Sequence, residues 1–159
     1  MRKAVAAGSP GTVRVALEVL SAGGNAVDAA VAAAFAMPVT EPGLASLGGG
    51  GFMTLRDQNG ATSLVDFFAA VPTSHAGEPE VVTVEFAGAR QDFAIGPYSV
   101  AVPGALTGLL HAHARFGRMA REELLRVPRD LARRGATMTA TQALVLYLIG
   151  AVVTFTPES

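Results

Sequence analysis

Apolar positions change rhythm three times along this chain. Residues 3–7 (Lys-Ala-Val-Ala-Ala) read as a short strand. Ser9 then stands as an N-cap with Pro10 at the first helical position, where its missing N–H costs nothing. Val13, Ala16, Leu17 and Leu20 follow at helical spacing, and Gly23-Gly24 stops that helix. Asn25 is placed to cap a second helix, with Asp28 three residues on at its positive end. Residues 26–37 are Ala-rich and apolar nearly all round, the pattern of a helix buried on most sides. Pro38 and Glu41-Pro42-Gly43 are expected to end it.

The rhythm then shortens to alternation. Residues 52–56 read as a strand, Asp57-Gln58-Asn59-Gly60 as a hairpin turn, and 62–67 as the returning strand. Residues 81–86 give another strand, Gly88 a turn, 91–95 a pairing strand, and 98–102 a short extended piece. Helical spacing returns at Pro103-Gly104, which opens a helix over 105–116 closed by Gly117. A charged amphipathic helix over 121–134 must kink or restart at Pro128, and Gly135 ends it. Thr139 or Thr141 is the candidate cap of a last apolar helix. The succession of helices, antiparallel strands and helices predicts an α+β or layered α/β fold, read as a single domain over residues 1–159.

Between the buried helix and the first strand lies Gly48-Gly49-Gly50-Gly51. Four glycines in a row are costly to order. The run therefore marks a close backbone approach inside a packed region. A dinucleotide loop follows a strand and opens a helix, whereas this run follows a helix and opens a strand, and no Gly-Lys-Ser/Thr is present. It reads as a packing joint.

Composition narrows the chemistry. Half the residues are hydrophobic and 16% are charged, which argues for a packed interior rather than disorder. A net charge of -1 gives no basic footprint for nucleic acid. The absence of cysteine removes disulfide, CxxC and thiolate-metal chemistry but leaves the compartment open. The apolar core over residues 143–155 is 13 residues long, short of the ~17 needed to span a membrane. They read as a helix buried in a larger protein. No secretory leader is visible at the start, since the apolar stretch is shorter than the ~7–15 residues of such a core.

Isolated residues supply no convincing active site. His111 and His113 sit two apart on a helix and face different ways, where a metal pair wants three or four. With His75 in a loop, all three read as solvated. Glu122-Glu123 and Arg126, Arg129, Arg133 and Arg134 read as a solvated helix face. Ser46 lacks the Gly-x-Ser-x-Gly elbow of a serine nucleophile. Glu18, Asp28 and Glu41 are assigned capping or polar-rim roles. No cofactor is called for.

Taken in order, Gly8-Ser9-Pro10, Gly23-Gly24-Asn25-Ala26-Val27-Asp28-Ala29-Ala30, Glu41-Pro42, Gly48-Gly49-Gly50-Gly51-Phe52-Met53, Ser99-Val100-Ala101-Val102-Pro103-Gly104, Gly108-Leu109, Phe116-Gly117 and Leu131-Ala132-Arg133-Arg134-Gly135 resemble the opening of the large subunit of the gamma-glutamyltransferase family, also called gamma-glutamyltranspeptidase or glutathione hydrolase. The resemblance covers nearly the whole chain. It implies a partial N-terminal-nucleophile hydrolase αββα sandwich, incomplete in this chain. It also implies a self-cleaving precursor in which a threonine at the start of the small subunit attacks a gamma-glutamyl amide, its α-amine assisting as base. That threonine and the oxyanion glycines belong to the small subunit, so this chain would hold no catalytic residue and be inactive alone. Its expected partners are the rest of the large subunit, the small subunit and a small gamma-glutamyl or acyl amide. The family is often exported, while the missing leader tilts the expectation toward the cytoplasm.

Two departures from the family pattern stand out. Where the family has Asp-Gly-Arg-Glu-x-x-Pro, this chain has Asp66-Phe67-Phe68-Ala69-Ala70-Val71-Pro72, so Phe68 occupies the substrate-binding position of the arginine that grips the α-carboxylate. A phenyl ring cannot form that bidentate, charge-assisted pair. Ser9 replaces a histidine before Pro10 and still caps a helix. The alternatives are a cephalosporin-acylase-like amidase on the same fold, or a non-catalytic truncated remnant. The two apolar helices are expected to need partners beyond these residues.

Overall fold

The computed structural model describes residues 3–74, 77–78 and 80–154. His75, and Phe155 at the end of the expected apolar stretch, lie outside the described residues. The chain divides into two compact units, Met1–Ala69 with Pro103–Met138, and Ala70–Val102 with Thr139–Ser159.

In the first unit, α1 (Pro10–Ser21) starts as expected, with the Ser9 hydroxyl accepting from Gly11 N at 3.1 Å. The strand expected over residues 3–7 is absent; this segment is irregular, and the Lys3 amine donates to the Leu20 carbonyl. The buried stripe of α1 is Thr12, Val15, Ala16, Val19 and Leu20, rotated from the expected one so that Leu17 is exposed. The rotation follows from Thr12, whose hydroxyl donates to Glu41 Oε1 at 2.6 Å and lies 2.7 Å from the Thr40 hydroxyl. Glu41 is thus a buried acceptor rather than part of a polar rim.

Helix α2 (Ala26–Thr40) runs through Pro38 instead of stopping before it. Proline forfeits its own N–H bond there and its ring crowds the carbonyl one turn back. The last turn is held from outside by Thr12 and internally by the Thr40 hydroxyl, 3.1 Å from the Ala36 carbonyl. Val27, Ala29, Val31, Ala32 and Ala36 are buried, while Ala33, Ala34 and Phe35 are half-buried against the same core. Small side chains on several sides let α1 and α3 (Ala105–Phe116) approach together, and Leu109 and Ala112 of α3 close the core.

The start of α2 is tied to the end of α3 by the carboxylate of Asp28, which is fully buried. With Asn25 it forms the expected capping box, accepting from Asn25 N at 2.8 Å. It also accepts from Arg118 N at 2.9 Å and Met119 N at 3.3 Å, ninety residues away in sequence. Asn25 adds a bond from its side-chain amide to the Phe116 carbonyl at 2.7 Å. His113 lies in the same cluster, its Nε2 3.0 Å from the Met119 carbonyl and 3.5 Å from Asp28 Oδ1. His113 is therefore buried and not solvated as expected, whereas His111 is exposed.

Strands β1 (Phe52–Arg56) and β2 (Thr62–Asp66) pair antiparallel, with Phe52 opposite Asp66 and Thr54 opposite Leu64. Met53, Leu55 and Val65 face the helices; Phe52, Thr54 and Leu64 face away. In the intervening turn only Gly60 takes positive φ (87°), and the Asp57 carboxylate accepts from Asn59 N and Ala61 N, each at 2.8 Å. The charged helix restarts rather than kinks: α4 (Arg121–Leu124) ends at Leu125, and α5 (Arg126–Arg134) follows with Pro128 buried in its first turn. Its arginines are exposed, with a local pair between Arg133 and Asp130 at 3.8 Å.

The second unit holds the hairpin β3 (Glu80–Phe86) and β4 (Ala89–Ile95), joined by Ala87-Gly88 with φ of 48° and 81°. The piece expected to be extended over 98–102 begins as a 3-10 turn, Pro97–Ser99, and only then extends, with Val102 pairing to Ala70. Thr139, not Thr141, caps α6 (Ala140–Leu148) through a capping box with Gln142, and α7 (Gly150–Val153) is a separate short turn. Both pack against β3. Among the described residues no helix is long and apolar enough to cross a membrane.

Replacing Asp28 by Ala removes the buried acceptor of the part-buried N–H groups of Arg118, Met119 and Asn25 and is expected to cost about 3 kcal/mol in urea unfolding. A loss below about 1 kcal/mol would show that the cluster contributes little. On the second hairpin, the Thr83 hydroxyl donates to Asp92 Oδ1 at 2.7 Å, with the Arg90 guanidinium 3.4 Å away. These contacts, the Thr83 bond foremost, hold the Asp92 carboxyl below its ordinary 3.8. Because the folded value is the lower one, the stabilisation is complete above the unfolded value and is lost as pH falls through the folded one. An NMR titration is expected to place Asp92 below 3.8 and Thr83→Val to move it upward; an unchanged midpoint would refute the assignment.

Candidate functional site

Pairing of β1 and β2 continues past the strand ends. Gly51 and Phe67 exchange both backbone bonds, at 3.2 and 3.0 Å, which carries the ladder back into the glycine run and brings Gly50 opposite Phe68. The approach is close enough to exclude a side chain. A Cβ at Gly50 would stand 2.8 and 2.7 Å from Phe68 Cα and C, and against Ala69 N as well. Contacts of that kind are between backbones, which cannot step aside.

The other flank of this segment is held by Gly104, where a Cβ would meet the Phe67 carbonyl oxygen and lie 2.8 Å from Phe67 C and 3.0 Å from Phe68 O. The Gly49 carbonyl accepts from Gly104 N at 3.1 Å and from Ala105 N at 3.0 Å, satisfying donors at the start of α3. One turn into α3, Gly108 leaves the space that the Phe67 side chain occupies. The glycine run is thus a packing joint, as its sequence context implies, and what it grips is the Phe67-Phe68 backbone.

Strand alternation then separates the two phenylalanines. Phe67 packs half-buried against the helices, and Phe68 points away, 62% exposed. Phe68 N donates to Asp66 Oδ1 at 3.0 Å, closing a short side-chain turn that fixes where the residue begins. Its ring stacks on Phe52, centroids 5.4 Å apart and planes within 11°. Phe52 is the diagonal cross-strand neighbour, within the reach of aromatic side chains. Two rings and the Asp66 carboxylate therefore share one open face of the hairpin.

The remaining candidates are not gathered here. Ser46 Oγ accepts from Gly48 N at 3.0 Å in an exposed turn. His113 and Asp28 are committed to the buried cluster between α2 and α3, and Glu41 to Thr12. Among the described residues no group of three or more His, Cys, Asp or Glu is placed to hold a metal ion. The role of Phe52 escapes sequence reading, although alternation from Gly50 does set it on the face of residue 68.

The helices laid against antiparallel hairpins are the front part of an N-terminal-nucleophile hydrolase fold. The family model described as gamma-glutamyltranspeptidase matches residues 12–150. The chain belongs to the gamma-glutamyltranspeptidase family. It is 39% identical over 132 residues to the glutathione hydrolase proenzyme of Pseudomonas aeruginosa, covering 83% of this chain and 23% of that protein. It is 37% identical over 127 residues to the acylase ACY 1 proenzyme of Pseudomonas sp. (strain SE83), covering 77% of this chain and again 23% of the relative. The solved gamma-glutamyltranspeptidase from Pseudomonas nitroreducens complexed with L-DON superposes with a TM-score of 0.77 at 34% identity, over 99% of this chain and 46% of that one. The chain thus spans about a quarter of the length of the proenzymes it matches.

The backbone clamp predicts an asymmetry within the glycine run. Gly50→Ala is expected to lose about 3 kcal/mol of stability, while Gly48→Ala, whose new Cβ meets only the Ser46 hydroxyl at 3.4 Å, stays within about 1 kcal/mol of wild type. Equal losses in denaturant titrations of the two variants would show that the run is not a graded joint.

Proposed function

We propose that this chain forms the front of the large subunit of a gamma-glutamyltransferase-like amidohydrolase. In the whole protein a threonine from a later part of the precursor attacks an acyl amide, with its own α-amine as base, and the acyl group passes to water or to an acceptor amine. The chain contributes structure and one wall of the acyl site, not the nucleophile, and alone it is inactive. Its partners are the rest of the large subunit and the small subunit. The observation that carries this reading is the position of residue 68. The family match spans it, and the glycine joint holds its backbone fixed while presenting its side chain outward.

Within that reading Phe68 replaces the arginine that would bind a substrate α-carboxylate. The charge-assisted pair is then missing, and gamma-glutamyl recognition is weakened in favour of an acyl group carrying less charge at that end. The similarity to an acylase proenzyme, at an identity close to that of the glutathione hydrolase, favours this acylase-like specificity as the second reading.

Three tests bear on the proposal. The purified chain is expected to turn over no gamma-glutamyl anilide, and the reading frame beyond residue 159 is expected to encode a Thr-Thr-His-like processing site and a glycine pair. Turnover by the chain alone would exclude the assigned division of labour. In the whole precursor, Phe68→Arg is expected to raise kcat/KM for a gamma-glutamyl anilide about tenfold or more, as a charge-assisted bond of about 1.5–3 kcal/mol allows. An unchanged value would mean that this position does not set specificity.

A further inference from the structure

Phe68 does not act alone on its face of the hairpin. Phe52 lies directly across from Asp66 in the register and diagonally across from Phe68. The rings stack near-parallel on one another, with 58% of Phe52 and 62% of Phe68 still exposed. The backbones that carry the pair are organised in advance: that of Phe68 is clamped by Gly50 and Gly104 and anchored to Asp66, and Phe52 sits on a paired strand. Little ordering remains to be done on binding.

Charge on the same face selects what the ring pair accepts. Asp66 uses Oδ1 for Phe68 N, and among the described residues nothing donates to its Oδ2. A substrate carboxylate brought against the ring pair would meet a like charge and the negative outer face of a π system. A flat uncharged group meets neither penalty and gains offset stacking.

From this geometry we infer that Phe52 and Phe68 form a two-ring subsite for the acyl part of the substrate, that the group it takes is an uncharged aryl-acyl amide, and that Phe52 is a specificity-determining residue beside Phe68. The inference rests on the reading that residue 68 faces the acyl group, and it goes further by naming the chemical class and the second residue.

The test uses the whole mature protein, with the rest of the large subunit and the small subunit present, labelled with fluorophenylalanine, and follows the fluorine NMR signals on addition of phenylacetamide, butyramide or L-glutamine. Phenylacetamide is expected to move the Phe52 and Phe68 signals saturably in the millimolar range, with butyramide and L-glutamine leaving them in place. Phe52→Leu and Phe68→Leu change only exposed positions, and amide spectra check that each stays folded. Each is expected to weaken phenylacetamide at least fivefold. Phenylacetamide that leaves both rings unmoved, butyramide binding as well as phenylacetamide, or a folded Phe52→Leu variant that binds like wild type would overturn the aryl subsite. A Phe68→Arg variant separates this from the underlying reading. If it gains L-glutamine binding while the wild type ignores phenylacetamide, residue 68 faces the acyl group and the aryl assignment alone falls. If the wild type binds phenylacetamide at both rings and Phe68→Arg gains nothing for L-glutamine, the aryl subsite stands and the equivalence with the family's arginine falls.

Discussion

The contact on which this chain depends is backbone against backbone. Gly50 on one side and Gly104 on the other press so closely on the Phe67-Phe68 peptide that neither position has room for a methyl group. Three elements meet there: the end of β2, the glycine run before β1, and the first turn of α3, whose N–H groups are answered by the Gly49 carbonyl. Hydrogen bonds of that kind are modest individually. Their geometry is strict, however, because the atoms they connect have no side-chain freedom with which to compensate. The joint therefore converts the packing of α3 and the hairpin into a fixed position for one residue, Phe68.

A second constraint supports the first from the opposite end of α3. Asp28 is buried among backbone donors from residues 25, 118 and 119, so the start of α2 and the end of α3 are tied by charge-assisted bonds. Between these ties the Ala-rich face of α2 allows α1 and α3 to pack closely. Structure is thus concentrated at the helix ends and the joint, and the face of the hairpin that bears Phe52 and Phe68 is left exposed. In the proposed function that face supplies a wall of the acyl site, while the reacting threonine comes from elsewhere in the precursor.

Local signals in the sequence were good guides where physics is local. Ser9, Asn25 with Asp28, and Gly60 each act within a few residues, and each performs the capping or turning role that its chemistry implies. The glycine run was legible as a joint because of what precedes and follows it. Local signals and structure part where distant residues decide. Pro38 stays inside α2 because Thr12 holds the last turn; residues 3–7 lack a partner strand; and His113, whose neighbours in sequence suggest a solvated helix, is drawn into a cluster around Asp28. Phe68 stood out from resemblance, but its partnership with Phe52 required the register of the hairpin. No periodicity reports which aromatic rings will stack diagonally across two strands.

The central claim is that the glycine joint sets the position of residue 68 and thereby its ring stack with Phe52. An NOE measurement between the Phe52 and Phe68 rings in wild type and in Gly50→Ala tests it most directly. The account predicts a strong ring–ring NOE in wild type that disappears in Gly50→Ala while the Asp28 cluster keeps its chemical shifts. An NOE of undiminished strength in Gly50→Ala would contradict it, since the rings would then be held by something other than the joint.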